Sequence, residues 1–204
     1  MSQDTPLKFL ALGDSYTIGE RVTEDERWPN QLAKLLSTNK RHFVTTIIAT
    51  TGWRTDNLAN AIDIAQLKPE YSLVSLLIGV NNQYQGKSID QYSIEFEELL
   101  KTSIRLAKGN RKNVFVVSIP DYGYTPFGEK KKDRISADID HFNSMNEKIS
   151  EKYGVAYVDI TAISRQGLSQ PELVAPDGLH PSGKMYALWV KQIAVELKNQ
   201  ILLK

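Results

Sequence analysis

Five short apolar runs, at residues 7–12, 43–49, 73–78, 114–119 and 155–160, restrict the fold more than any other feature of the chain. Each has the length of a strand, and their Leu, Ile, Val and Phe show little alternation, as expected of strands covered on both faces. Helical patterns lie between them. Trp28, Leu32, Leu35 and Leu36 recur at helical spacing, with Pro29 where a first turn tolerates it. Thr55 or Asp56 caps a second helix carrying Leu58, Ile62 and Leu67, closed by Pro69. Residues 88–108 form a third, with Ile94, Leu99, Leu100 and Ile104 facing inward and Gly109-Asn110 as its stop. Residues 133–153 form a fourth, ended by Gly154; Ser182 caps the last, which turns Leu188, Ile193, Val195 and Leu197 inward.

Strands alternating with helices imply a parallel sheet, because right-handed crossovers put helices on both faces. The expected class is therefore α/β, a three-layer α/β/α sandwich around a flavodoxin-like five-stranded parallel sheet of order 2-1-3-4-5. Its switch point falls between strands one and three. With 204 residues, 41% of them hydrophobic, the chain is expected to form one domain over 1–204.

Composition removes several function classes. Lys and Arg total 25 against 24 Asp and Glu, so no global field recruits nucleic acid or an anionic membrane. The absence of cysteine removes disulfides, thiolate metal sites and a Cys nucleophile. The first eight residues lack the basic head and apolar segment of a secretory signal, and no run is long enough to span a bilayer. A soluble, cytoplasmic protein is expected from this sequence, or a periplasmic or secreted one if a leader was trimmed. No stable membrane insertion is expected, and oligomeric state is left open.

Parallel strands bring their carboxyl ends to one edge of the sheet. There the first run stops at Gly13-Asp14-Ser15-Tyr16, the second at Thr51-Gly52, and the third at Gly79-Val80-Asn81-Asn82. The long irregular stretch 161–181 holds Asp177-Gly178-Leu179-His180, and connections of that length in compact domains usually serve function. A carboxylate three residues from an imidazole across a tight turn can fix its tautomer and stabilise its cation. A serine hydroxyl needs such a base, being a weak nucleophile without one. Donors for an oxyanion are at hand in the Ser15 N–H, the Gly52 N–H and the Asn81 amide. Asp14 is read as a hydrogen-bonding residue that shapes the turn, since no second carboxylate ends strand three to make a metal or phosphoacceptor pair. His42 and His141 are read as surface residues.

Taken in order, these four blocks resemble the SGNH, or GDSL, hydrolase superfamily over nearly the whole chain. The resemblance implies the SGNH hydrolase fold and a cofactor-free, metal-free esterase, lipase, thioesterase or carbohydrate deacetylase. It also implies catalytic roles for Ser15, Asp177 and His180, and an oxyanion hole from Ser15, Gly52 and Asn81. Two positions depart from the family pattern. Tyr16 replaces its usual Leu, which should alter only local packing, and Asn82 replaces its usual Asp, which should keep the turn while changing its electrostatics. Trp53, Arg54, Tyr84, Tyr122, Tyr124 and Phe127 come from the same edge and are candidates to line a substrate pocket. The substrate expected is a small-molecule ester with a short acyl, lipid or acetylated-sugar group. Acyl transfer to another acceptor would use the same residues, and a non-catalytic binding module is the rival from a different class. The nucleophile elbow Gly-x-Ser-x-Gly of α/β-hydrolases is absent.

Overall fold

A computed structural model describes residues 6–200. Part of the leader reading above, at residues 1–5, lies outside the described residues. The chain runs through β1 (Leu7–Gly13), α1 (Ser15–Ile18), α2 (Trp28–Leu36), β2 (Phe43–Ala49), α3 (Thr55–Ala65), β3 (Leu73–Leu77) and α4 (Val80–Tyr84). It continues through α5 (Ile89–Leu106), β4 (Val114–Val117), α6 (Lys132–Tyr153), β5 (Ala156–Val158), α7 (Thr161–Ser164) and α8 (Gly183–Gln200).

All strand pairings are parallel and the order is β2-β1-β3-β4-β5, as the alternation of runs and helices predicts. In the register of the centre, Gly13 of β1 lies beside Leu77 of β3, so the segments leaving these strands emerge side by side at the switch point. Strands β1, β3 and β4 are almost completely buried, which accounts for their unbroken apolar composition.

Helices cover both faces, with α2 against α8 on one side and α5 between α3 and α6 on the other. Aromatic rings fill the layers. Phe9 lies 6.2 Å from both Trp28 and Phe115 on the α2 side, and Tyr92 of α5 lies 4.6 Å from Phe142 of α6 on the other. The Tyr92 hydroxyl sits 3.0 Å from the carbonyl of Ile78 and so anchors the end of β3. The next residue, Gly79, has φ +132°, and a Cβ there would come within 2.5 Å of that hydroxyl. Only glycine fits both the conformation and the space.

Three helix faces differ from the periodicity reading. Leu35, counted in the first helical stripe, and Ile94 and Val195, expected inward, are 55%, 61% and 53% exposed. A spacing of three or four residues locates a helical stripe only to its edges, and these residues sit at the margin of stripes whose centres are Leu32, Leu99 and Ile193. The second helix ends at Ala65, before Leu67 and Pro69, where Gln66 takes a left-handed conformation. Strands β4 and β5 stop two residues short of the apolar runs that contain them. Among the described residues, no helix is long and apolar enough to cross a membrane.

Candidate active site

Ser15 opens α1 directly after β1, with Asp14 as the cap. Asp14 Oδ1 accepts from the Tyr16 N–H at 3.0 Å, which fixes the turn as the sequence reading assigns. Asp14 itself is fully buried, and its Oδ2 has no hydrogen-bond partner among the described residues. Burial pushes its carboxyl up to about 7, against a smaller pull downward from the Tyr16 N–H. Ser15 is 5% exposed, and its N–H makes no backbone hydrogen bond among the described residues.

The irregular segment that carries Asp177 and His180 is folded back on itself. Val174 bridges Pro181, the Ala175 N–H donates to the His180 carbonyl at 2.7 Å, and the Ser182 N–H donates to Leu173 O at 2.9 Å. Gly178 O accepts from the Phe127 N–H at 2.9 Å, tying this hairpin to the loop after β4. Asp177 Oδ2 is 2.7 Å from His180 Nδ1, and its Oδ1 accepts from the Leu179 and His180 N–H groups at 3.0 Å each. Burial raises the Asp177 carboxyl, but the His180 bond and the two N–H donors outweigh it and hold the group below the usual carboxylate value. With Nδ1 committed, Nε2 is the ring nitrogen left for chemistry. Tyr16 packs edge-to-face with the imidazole at 5.9 Å between ring centroids and 60° between planes.

Gly52 has φ +85° in the turn after β2, and a Cβ there would meet nothing within 4 Å. Its backbone conformation calls for glycine, and its outer side faces open space. Like that of Ser15, the Gly52 N–H makes no backbone hydrogen bond among the described residues. Asn81 Nδ2 donates to the Trp53 carbonyl at 2.9 Å, which aims the amide and leaves its second hydrogen uncommitted. Asn82 is buried and pairs twice with Thr55 across the turn, so the uncharged residue does keep the turn together.

Ser15, Gly52, Asn81 and His180 all face one cavity of about 200 Å³. Tyr84, Tyr122 and Phe127 form one wall of it, with ring centroids 6.2 to 6.4 Å apart. Burial pushes the Tyr122 phenol up to about 12, and its hydroxyl donates to Gln83 Oε1 at 2.9 Å. Apart from His180, no ionisable base or acid other than the tyrosine phenols lines the cavity among the described residues.

The other three pocket candidates lie elsewhere. Trp53 contributes its carbonyl to Asn81 while its ring packs against the core. The Arg54 guanidinium is held by both Asp56 oxygens and by Gln85 Oε1 at 2.8 Å. The Tyr124 ring lies beneath Lys132 and Arg165, at 5.3 and 5.9 Å. Nearness in sequence to a loop is not a side-chain direction, and these three are turned toward protein partners. Conversely, Tyr16, Thr51, Val80 and Leu179 line the cavity. Each is next in sequence to a residue already singled out, the one signal that could have found them.

The family model for the GDSL-like lipase/acylhydrolase family matches residues 11–188, from inside β1 to inside α8. The chain belongs to this family. It is accordingly a hydrolase acting on esters. No curated protein sequence matches it. Solved structures with the same architecture include a lipolytic protein of the G-D-S-L family from Veillonella parvula, 15% identical, with a TM-score of 0.72 over 96% of this chain and 100% of that one. The acetylxylan esterase Axe2 from Geobacillus stearothermophilus is 19% identical, with a TM-score of 0.73 over 97% of this chain and 96% of that one. The psychrotrophic esterase EstA from Pseudoalteromonas sp. is 18% identical, with a TM-score of 0.67 over 94% of this chain and 97% of that one. At these identities the likeness establishes the fold.

Proposed function

We propose that this GDSL-family chain is a serine esterase that works through an acyl-enzyme on Ser15. One observation carries the reading: a serine hydroxyl, an imidazole oriented through Nδ1 by a carboxylate, and uncommitted N–H donors converge on one cavity. Ser15 Oγ attacks the ester carbonyl while His180 Nε2 takes its proton, and Asp177 stabilises the resulting imidazolium. The carbonyl oxygen, now an oxyanion, receives hydrogen bonds from the Ser15 and Gly52 N–H groups and from Asn81 Nδ2, donors worth about 10²–10³ in rate each. Collapse breaks the ester C–O bond, and His180 returns the proton to the departing alcohol. Water then repeats the sequence on the acyl-enzyme, regenerating Ser15 and releasing the acid. Ser15 Oγ and His180 are not hydrogen-bonded to each other in this state, a contact that commonly tightens only with substrate present.

The lining favours uncharged substrates. An acyl carboxylate or ammonium would enter a cavity with aromatic walls and no compensating charge beyond the imidazole. Esters with short or moderately long neutral acyl groups suit it, and the acetylated sugar named for the Axe2 neighbour belongs to the same chemical class. Ser15→Ala tests the proposal. The variant should keep the circular dichroism spectrum and melting temperature of the parent, lose turnover of a small chromogenic ester, and fail to react with a fluorophosphonate. Undiminished hydrolysis by that variant would overturn it.

A further inference from the structure

Behind the proposed oxyanion donors, the structure shows a hydrogen-bond chain whose direction is fixed by atom type. The Thr55 N–H faces Asn82 at 3.2 Å, and because an N–H can only donate, the facing atom must be Oδ1. That leaves Asn82 Nδ2 toward the Thr55 hydroxyl, to which it donates at 2.7 Å. The hydroxyl, already accepting there, donates its single proton to Glu95 Oε2. Gln91 Nε2 donates to the other Glu95 oxygen at 2.7 Å. The chain thus runs one way, from amide to hydroxyl to carboxylate, through Thr55, which is completely buried, and Asn82, which is nearly so.

The same few residues carry the oxyanion donors. Gly52 lies three residues before Thr55, Asn81 directly precedes Asn82, and Asn81 Nδ2 grips the Trp53 carbonyl between them. The turn after β2 and the start of α4 are therefore joined at two points, one beside each donor. We infer that Asn82, Thr55 and Glu95 are positioning residues that hold the Gly52 and Asn81 donors at their working separation, and that Asn82 and Glu95 form a matched pair across the Thr55 hydroxyl. An aspartate at 82 would place two acceptors against one proton, and one of the two contacts would become repulsive. A glutamine at 95 would restore the match by reversing the chain, with its amide donating to Thr55 and the hydroxyl donating to the aspartate.

The inference rests on the esterase reading, and the test separates the two. Steady-state kinetics on a neutral chromogenic ester would compare the parent with Asn82→Asp, Glu95→Gln and the double variant. Asn82→Asp should lower kcat at least about tenfold with KM within about threefold, because the donors act on the transition state more than on bound substrate. Glu95→Gln alone should cost less, and the double variant should recover to within about threefold of the parent, the non-additivity of a coupled pair. An Asn82→Asp enzyme with parental kcat, or a double variant no more active than Asn82→Asp, overturns the inference, whatever its melting temperature. If Asn82→Asp yields no folded protein, Thr55→Val against Thr55→Ser decides. Loss of the hydroxyl should lower kcat about tenfold, its retention in serine should preserve kcat within about threefold, and equal kcat for the two overturns the proposal. Ser15→Ala, assayed alongside, reports only on the esterase reading.

Discussion

The burial of Asp14 gives a quantitative prediction about stability and pH. Its carboxyl, ordinarily near 3.8, is raised to about 7 by desolvation, so between these values the native state holds a proton that the unfolded chain releases. Stability must then fall as pH rises through that window, the reverse of the trend for a carboxylate in an ion pair. At 1.36 kcal/mol per pH unit, the part of the effect lying between pH 4.5 and 7.5 comes to about 3 kcal/mol. Asp14→Asn keeps an oxygen for the Tyr16 N–H and abolishes the titration. Other groups pull the opposite way. Glu97, held at about 2 by hydrogen bonds from Tyr153 and then Lys152, is one of them. Subtracting the variant's profile from the parent's removes all such contributions. Urea unfolding followed by tryptophan fluorescence at both pH values should show the parent losing about 3 kcal/mol more than Asp14→Asn on going from 4.5 to 7.5. At the slope of a domain this size, that is about 1 M in midpoint. Parallel profiles, agreeing within about 1 kcal/mol, would mean that Asp14 is already ionised in the fold at pH 4.5 and would refute the argument.

Two further substitutions address the proposed chemistry. Asp177→Asn should lower kcat at least about 10²-fold, because the amide cannot stabilise the imidazolium; the two N–H groups that now bond Oδ1 should keep the hairpin and the melting temperature close to those of the parent. Asn81→Ala removes one of the proposed oxyanion donors and the tie to the Trp53 carbonyl, so kcat should fall by about 10²–10³ with little change in KM, measured on the same ester.

Much of the architecture was legible in the sequence because a parallel sheet buried on both faces writes its strands as unbroken apolar runs, as at Leu10, Leu12, Val74, Leu76, Val114 and Val116. That Ser15, Gly52, Asn81 and the loop carrying His180 leave the sheet at one edge followed from the parallel direction of the strands. Side-chain direction was not legible. Tyr124 and Phe127 share one loop, yet the first ring is taken up by Lys132 and Arg165 while the second faces the cavity. Nor was pairing between distant elements. Asn82 pairs with Thr55 of α3, whose hydroxyl in turn pairs with Glu95 of α5, and no local pattern marks Thr55 or Glu95 as belonging with it.

The proposed base and the acid that orients it sit three residues apart in a hairpin that closes on its own backbone, whereas the hydroxyl they would serve opens α1, directly after the first strand. A partly folded chain with the last loop formed but β1 undocked would therefore hold a poised imidazole and nothing for it to activate. Turnover by this protein is thus a readout of long-range assembly, and recovery of activity on refolding should trace the docking of the amino-terminal strand.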